Sequence, residues 1–212
     1  MHIFDMDGTL IDSNGIWREV DEAFLAKRGF PYTKEYYQGV AHTIFPLAAE
    51  FTKRYCHLEE SVEDIMAEWM EMAGDAYATR VQVKPGVREL LARLRAEGAR
   101  MCICSNTWSA QCRTVLTRLG IDEYFDFYVE AQGALHKSRP DVFFQTLTRL
   151  GGTDPDRCVV CEDSLYAART AHDAGFHVIG IADAASKSDE PALREVGDQF
   201  LTDWMELDWD KV

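Results

Sequence analysis

Phe4-Asp5-Met6-Asp7-Gly8-Thr9-Leu10 sets two carboxylates at i and i+2 straight after a short apolar run. The pattern places two acids at a strand end, where Gly-Thr turns the backbone away. Like charges so close raise at least one pKa unless a cation sits between them, so the pair calls for a metal or a shared proton. One carboxylate can then attack an electrophile while the other exchanges a proton with a leaving group or water. An acidic turn with no chemistry is the competing reading, because Asp and Gly are ordinary turn residues. What the rest of the chain brings to the same place decides between them.

From Ser13 to about Arg80 the apolar spacing is helical, with Trp17, Val20, Phe24 and Leu25 on one stripe and Ile44, Leu47, Ala48 and Phe51 on another. Gly29-Phe30-Pro31 breaks the first helix, Thr33 caps a second, and Ser61 with Glu63 and Asp64 opens a third. After Lys84-Pro85-Gly86 the rhythm changes. Helix 87–97 stops at Gly98, and strand 100–104 runs into Ser105-Asn106-Thr107. Helix 109–119 and strand 125–130 follow, then a Gly133 loop, helix 140–150, strand 158–161, helix 164–174, strand 177–181 and a last strand near 199–201. Strand-helix alternation predicts an α/β fold, a Rossmann-like parallel sheet covered on both faces, with ligands at the carboxyl ends of its strands. The predicted organisation is a catalytic core of residues 1–13 and 82–212 with an inserted all-helical cap of residues 14–81. Only Met1 to Phe4 precede Asp5, so the first strand is expected to be short and incompletely paired at its edges.

At those carboxyl ends stand Asp5 and Asp7, Ser105 and Asn106, Glu162-Asp163-Ser164, and Lys137 in the loop before the helix at Pro140. This composition suits a magnesium-assisted attack on a phosphate, since the ion needs hard oxygen ligands and carboxylates from two strands supply them. Ser105, nearby backbone N–H groups and Lys137 can hold the phosphate oxygens, and the lysine offsets the crowded negative charge. Each piece read alone has a plainer meaning: an N-cap, a solvated lysine, an acidic helix start.

The chain carries a net charge of −14 and is 47% apolar, enough to bury a full core. The acidic balance disfavours nucleic acid and anionic membrane as partners. No apolar stretch approaches the about 20 residues of a transmembrane helix, and Asp5 follows the N-terminus without a signal core, which predicts a cytoplasmic protein. The six cysteines, Cys56, Cys102, Cys104, Cys112, Cys158 and Cys161, lie mainly in strand-like runs and read as small buried hydrophobes rather than as a zinc or redox site.

Asp5-Met6-Asp7-Gly8-Thr9, Ser105-Asn106, Lys137-Ser138-Arg139-Pro140-Asp141, and Glu162-Asp163-Ser164 followed by Ala167-Ala168 and Ala174-Gly175 appear in that order along nearly the whole chain. In this it resembles the haloacid dehalogenase superfamily, and within it the phosphatases with a small helical cap, which include phosphoglycolate phosphatases and beta-phosphoglucomutases. The resemblance implies that Asp5 is the nucleophile forming an aspartyl-phosphate and Asp7 the general acid and base. It implies magnesium held by Asp5, the backbone carbonyl of Asp7 and Asp163, with Glu162 as ligand or neighbour. A small phosphorylated metabolite is the implied substrate, read by a cap that closes over the site; the oligomeric state is not legible.

Asp7 argues against dehalogenation, which in this superfamily uses neither a second aspartate nor magnesium. Phosphonate hydrolysis needs a cap lysine; Lys27, Lys34 and Lys53 read as solvated charges. Gly39-Val40-Ala41-His42 is similar to the mutase stretch Gly-Val-Ser-Arg, but His42 replaces its phosphate-gripping arginine, and Trp17 stands where mutases have a hinge histidine. Trp17 and His42 are therefore candidate substrate contacts of a phosphatase, with the mutase, and beyond it a non-catalytic binding protein, as alternatives. Ser138 replaces the first proline of the usual Lys-Pro-x-Pro, which predicts a less rigid Lys137.

Overall fold

The computed structural model describes residues 1–40 and 43–211, and they form two compact units, residues 1–14 with 81–211 and residues 15–80. In chain order the elements are β1 (His2–Phe4), β2 (Ile11–Asp12), α1 (Asn14–Lys27), α2 (Lys34–Val40), α3 (Phe45–Tyr55), α4 (Val62–Thr79), β3 (Gln82–Val83), α5 (Val87–Ala96) and β4 (Met101–Ser105). They continue with α6 (Ser109–Arg118), β5 (Phe127–Glu130), α7 (Asp141–Arg149), β6 (Val159–Glu162), α8 (Leu165–Asp173), β7 (His177–Ile181), α9 (Glu190–Val196) and β8 (Gln199–Leu201).

The larger unit is an α/β fold built on a six-stranded sheet in the order β5-β4-β1-β6-β7-β8, parallel throughout. Its central strands β4, β1 and β6 are buried at every position, as parallel strands covered on both faces are. On one face Ile3, Cys102, Cys104, Cys158 and Val160 pack against Val142, Phe143 and Leu147 of α7 and Ala167, Ala168 and Ala171 of α8. On the other, the Phe4 ring meets Phe125 and Trp204 edge-on. All six cysteines are free and buried, and burial pushes the Cys104 and Cys158 thiols up to about 12.

β1 differs from expectation. Although only three residues long, it is paired on both sides along its whole length, His2-Ile3-Phe4 against Met101-Cys102-Ile103 and against Val159-Val160-Cys161. Its central position in the sheet supplies two partner strands where the short sequence suggested ragged edges. Three further elements carried no readable signal. β2 and β3 form a two-stranded antiparallel ribbon of two residues each, too short to show a period, and α9 is a seven-residue helix with Pro191 in its first turn.

His2 has a second consequence. It is 6% exposed, and burial, with the charges of the N-terminus and His177, lowers its pKa from 6.5 to about 3. The folded state holds this imidazole neutral where the unfolded chain would bind a proton, so its contribution to stability is complete above pH 6.5 and is lost as pH falls toward 3. Unfolding free energy measured with urea is expected to fall by about 2 kcal/mol between pH 7 and pH 5 from this group. His2→Phe should remove that part of the slope; an unchanged slope would show that His2 titrates normally.

The smaller unit is four helices, α2 and α3 being separate where one helix was expected after Thr33. Thr33 does cap α2, its hydroxyl accepting from the Tyr36 N–H at 3.1 Å. Ser61 and Asp64 form a reciprocal capping box at α4. Leu25, Tyr36 and Cys56 make the centre of its core, with Phe51 and Tyr55 against them, and the Tyr36 hydroxyl reaches Asp21 at 3.1 Å and Thr52 at 2.9 Å. A Cβ on Gly39 would lie 2.1 Å from the Phe51 ring, so this position lets the ring lie against the α2 backbone.

Candidate active site

Asp5 leaves β1 with its N–H donating to the Cys161 carbonyl of β6 at 2.9 Å, and the chain then turns sharply. Gly8 has φ +78°, and a Cβ there would stand 2.4 Å from Asp163 Oδ2 and 2.1 Å from Asn14 Nδ2. Glycine therefore allows both the turn and the close approach of this loop to the end of β6. Trp204 fixes the loop from beneath, its indole N–H donating to the Thr9 carbonyl at 3.0 Å.

The central feature is a buried ammonium. Lys137, 2% exposed, donates to Asp5 Oδ1 at 2.5 Å and to Glu162 Oε1 at 2.5 Å. Burial works to lower its pKa, but the adjacent carboxylates of Asp5 and Glu162 outweigh this and hold it well above its usual value. The lysine is thus pinned by two carboxylates despite Ser138, contrary to the looser presentation expected without the proline. Ser138 itself turns to the His136 ring.

Asp5, Glu162 and Asp163 each bring an oxygen within 4.8 Å of the others, all three buried. Burial, opposed by Lys137 and reinforced by Asp5, raises Glu162 to about 7. Burial followed by the charges of Asp5 and Glu162 pushes Asp163 well up. Three carboxylates against one ammonium leave uncompensated negative charge in a dry place, and their hard oxygens suit a divalent cation such as magnesium.

Asp7 plays a different part. Its side chain is not in that cluster; Oδ1 accepts from Ser13 at 2.6 Å and Oδ2 from Thr107 at 2.8 Å. Two hydroxyl donors aim the carboxyl and leave it half-buried. Ser105 is 1% exposed at the end of β4, and its hydroxyl accepts from the Thr107 N–H at 3.0 Å. Asn106 donates to the Tyr166 hydroxyl at 3.0 Å, its carbonyl accepts from Gln132 at 2.7 Å, and its side-chain oxygen is buried with no partner among the described residues.

Asp5, Asp7, Ser105, Asn106, Lys137, Glu162 and Asp163 thus all lie at the carboxyl ends of β1, β4 and β6 or in the loops beside them. Trp17 belongs to the helical unit, where its indole donates to the Tyr77 hydroxyl at 3.1 Å and its ring packs on Phe45 and Tyr77. These are contacts within that unit. His42 lies outside the described residues. Lys27 pairs with Glu68 at 2.8 Å and Lys53 donates to the Glu60 carbonyl at 2.6 Å, both as exposed charges.

Sequence reading missed the residues that hold Asp163. Asn14 donates to Asp163 Oδ2 at 2.9 Å and to Asp183 Oδ1 at 3.1 Å, and Ser186 donates to Asp163 at 3.3 Å. Lys84 closes the network on Asp183 Oδ2 at 2.9 Å and the Ala182 carbonyl at 2.9 Å. Thr107 adjoined a residue already singled out and could have been found there. Asn14, Lys84 and Asp183 had no motif, and Lys84 read only as punctuation before Pro85.

Residues 2–181 match the model of the haloacid dehalogenase-like hydrolase family. A phosphorylated carbohydrates phosphatase of Thermotoga maritima is 26% identical over 197 residues, 92% of this chain and 90% of that protein. The fructose-1-phosphate phosphatase of Escherichia coli is 27% identical over 194 residues, covering 84% of this chain and 94% of its own. Among solved structures, CbbY from Rhodobacter sphaeroides in complex with phosphate superposes with a TM-score of 0.79 at 25% identity, covering 97% of this chain and 95% of the other. With the acid cluster at the carboxyl ends of a parallel sheet and a family match over most of its length, the chain belongs to the haloacid dehalogenase-like hydrolases.

Proposed function

We propose that this protein is a magnesium-dependent phosphatase that hydrolyses a small phosphorylated metabolite through an aspartyl-phosphate on Asp5. The observation that carries the reading is the buried Lys137 ammonium clamped between Asp5 and Glu162 with Asp163 alongside. The lysine fixes the Asp5 carboxylate and lowers the cost of bringing an anionic phosphoryl group to it. Relatives named as phosphatases of phosphorylated carbohydrates and fructose 1-phosphate support the substrate class.

Asp5 and Asp163, with Glu162 beside them, would hold the ion, which when bound supplies positive charge to the phosphate oxygens. Asp7, aimed by Ser13 and Thr107, would give a proton to the leaving alcohol and take one from the incoming water. Ser105, Asn106 and Lys137 would hold the phosphate. The helical unit is proposed as the cap, the part that distinguishes leaving groups in such enzymes.

The test is phosphate release from sugar phosphates, phosphoglycolate, nucleoside monophosphates and beta-glucose 1-phosphate, with magnesium and with EDTA. Release from one group, abolished by EDTA and restored by magnesium, is expected. Glucose 6-phosphate formed from beta-glucose 1-phosphate without net phosphate release would replace the phosphatase by a mutase.

Asn14→Ala removes an amide that orients Asp163 without touching the cluster's charge. Magnesium affinity, read by calorimetry, is expected to weaken about 10- to 100-fold. Unchanged affinity would show that Asp163 needs no such support.

A further inference from the structure

A cavity of about 680 Å³ opens at the amino-terminal edge of the sheet, away from the catalytic carboxylates at the strands' other ends. Its floor is set by strand register. His2 of β1 pairs with Val159 of β6, which pairs with His177 of β7, so the two histidines flank a valine on one sheet face. All three line the cavity.

Both ring nitrogens of His2 are buried with no hydrogen-bond partner among the described residues, although the residue is only 6% exposed. His177 Nδ1 is 3.4 Å from Asp198, and its Nε2 is buried and equally unpartnered. Buried polar atoms without partners cost stability, and in native proteins they are usually satisfied by water or a ligand.

The walls hold three cations, Arg93, Arg157 and Lys211, against two acids, Glu97 and Asp156. Arg157 has no carboxylate partner among the described residues, and Lys211 makes only an exposed contact with Asp208 at 3.3 Å. Of the acids lining the cavity, Glu97 is occupied by Arg93 at 3.0 Å and Asp156 is exposed. Trp209, stacked on the Arg93 guanidinium at 3.7 Å, adds a flat apolar wall.

We propose that this cavity is a second ligand site that takes a small hydroxylated phosphate ester. The phosphate lies on Arg157 and Lys211, the hydroxyls on the imidazoles of His2 and His177, and the carbon skeleton against Trp209. A neutral imidazole offers one N–H and one acceptor nitrogen, which matches hydroxyl groups better than a bare anion. Charge-assisted bonds to the guanidinium supply the preference for the phosphorylated form.

Tryptophan fluorescence of the full chain, titrated in EDTA with glucose 6-phosphate and with inorganic phosphate, tests this. A saturable change is expected with glucose 6-phosphate, retained in Asp5→Asn and lost in Trp209→Phe. Arg157→Ala and His2→Phe should each weaken it about tenfold or more, with phosphate-ester hydrolysis by Arg157→Ala unaltered. Arg157 is on the surface, so its variant keeps the test decisive if His2→Phe does not fold. Absence of a change, loss of the change in Asp5→Asn, or unaltered affinity in Arg157→Ala would overturn the site. Equal affinity for inorganic phosphate would overturn the ester and leave free phosphate as its ligand.

Discussion

Asp5→Asn is expected to lower phosphate release by at least about a thousandfold, since covalent catalysis is lost with the nucleophile. The substitution keeps the side chain's size and an oxygen for Lys137 to meet, but an amide cannot displace an alcohol from phosphorus. Its effect on folding should be small. Lys137 retains Glu162 at 2.5 Å, and removing one of the mutually repelling carboxylates relieves the cluster that raises Glu162 and Asp163. The measurements are initial rates with the best substrate of the panel and urea unfolding of both proteins. A variant that turns over within tenfold of wild type, yet folds equally well, would remove Asp5 from the chemistry. An inactive variant with greatly reduced stability would be uninformative about mechanism, and Asp5→Glu, which keeps the charge and displaces it by one methylene, then separates position from folding.

Lys137→Met should be severe in two ways. Activity is expected to fall by at least about a hundredfold, the scale of losing a preorganised charge at a reacting oxyanion. Stability in EDTA should fall by about 3–5 kcal/mol, the cost of leaving buried partner charges uncompensated. The loss has a pH signature. Glu162 already has a folded-state value of about 7, above its ordinary 4.5, so the folded protein binds a proton more readily than the unfolded chain and this residue favours folding increasingly as pH falls from 7 toward 4.5. Without Lys137 that shift grows. The variant should therefore be more destabilised at pH 8 than at pH 5.5, and magnesium should recover part of the loss. Equal destabilisation at both pH values would mean that the lysine acts by packing rather than by charge.

Much of the larger unit was legible because parallel strands buried on both faces leave continuous apolar runs, such as Met101-Cys102-Ile103-Cys104 and Cys158-Val159-Val160-Cys161, and each was followed by a helix with its own glycine stop. The two-residue strands β2 and β3 were not legible, since two residues show no period. Nor was the division of α2 from α3: the stripe of Ile44, Leu47, Ala48 and Phe51 belongs to α3 and its N-cap, and Thr33 was the one start signal read before Ser61. At the site, Asp5, Ser105, Glu162 and Asp163 could be placed by one rule, that residues just after parallel strands gather at one edge.

Sequence by itself determined the residue types: carboxylates, a hydroxyl and a lysine at the ends of strand-like runs, which local periodicity and turn chemistry can locate. Only the tertiary structure decided their pairing. It set β1 between β4 and β6, drove Lys137 between Asp5 and Glu162 across separations of 132 and 25 residues, and turned Asp7 to Ser13 and Thr107 instead of the cluster. It also brought Asn14 and Lys84 to Asp163 and Asp183. Such partners are chosen by strand order and by the need to compensate buried charge, and neither leaves a local signature in the chain.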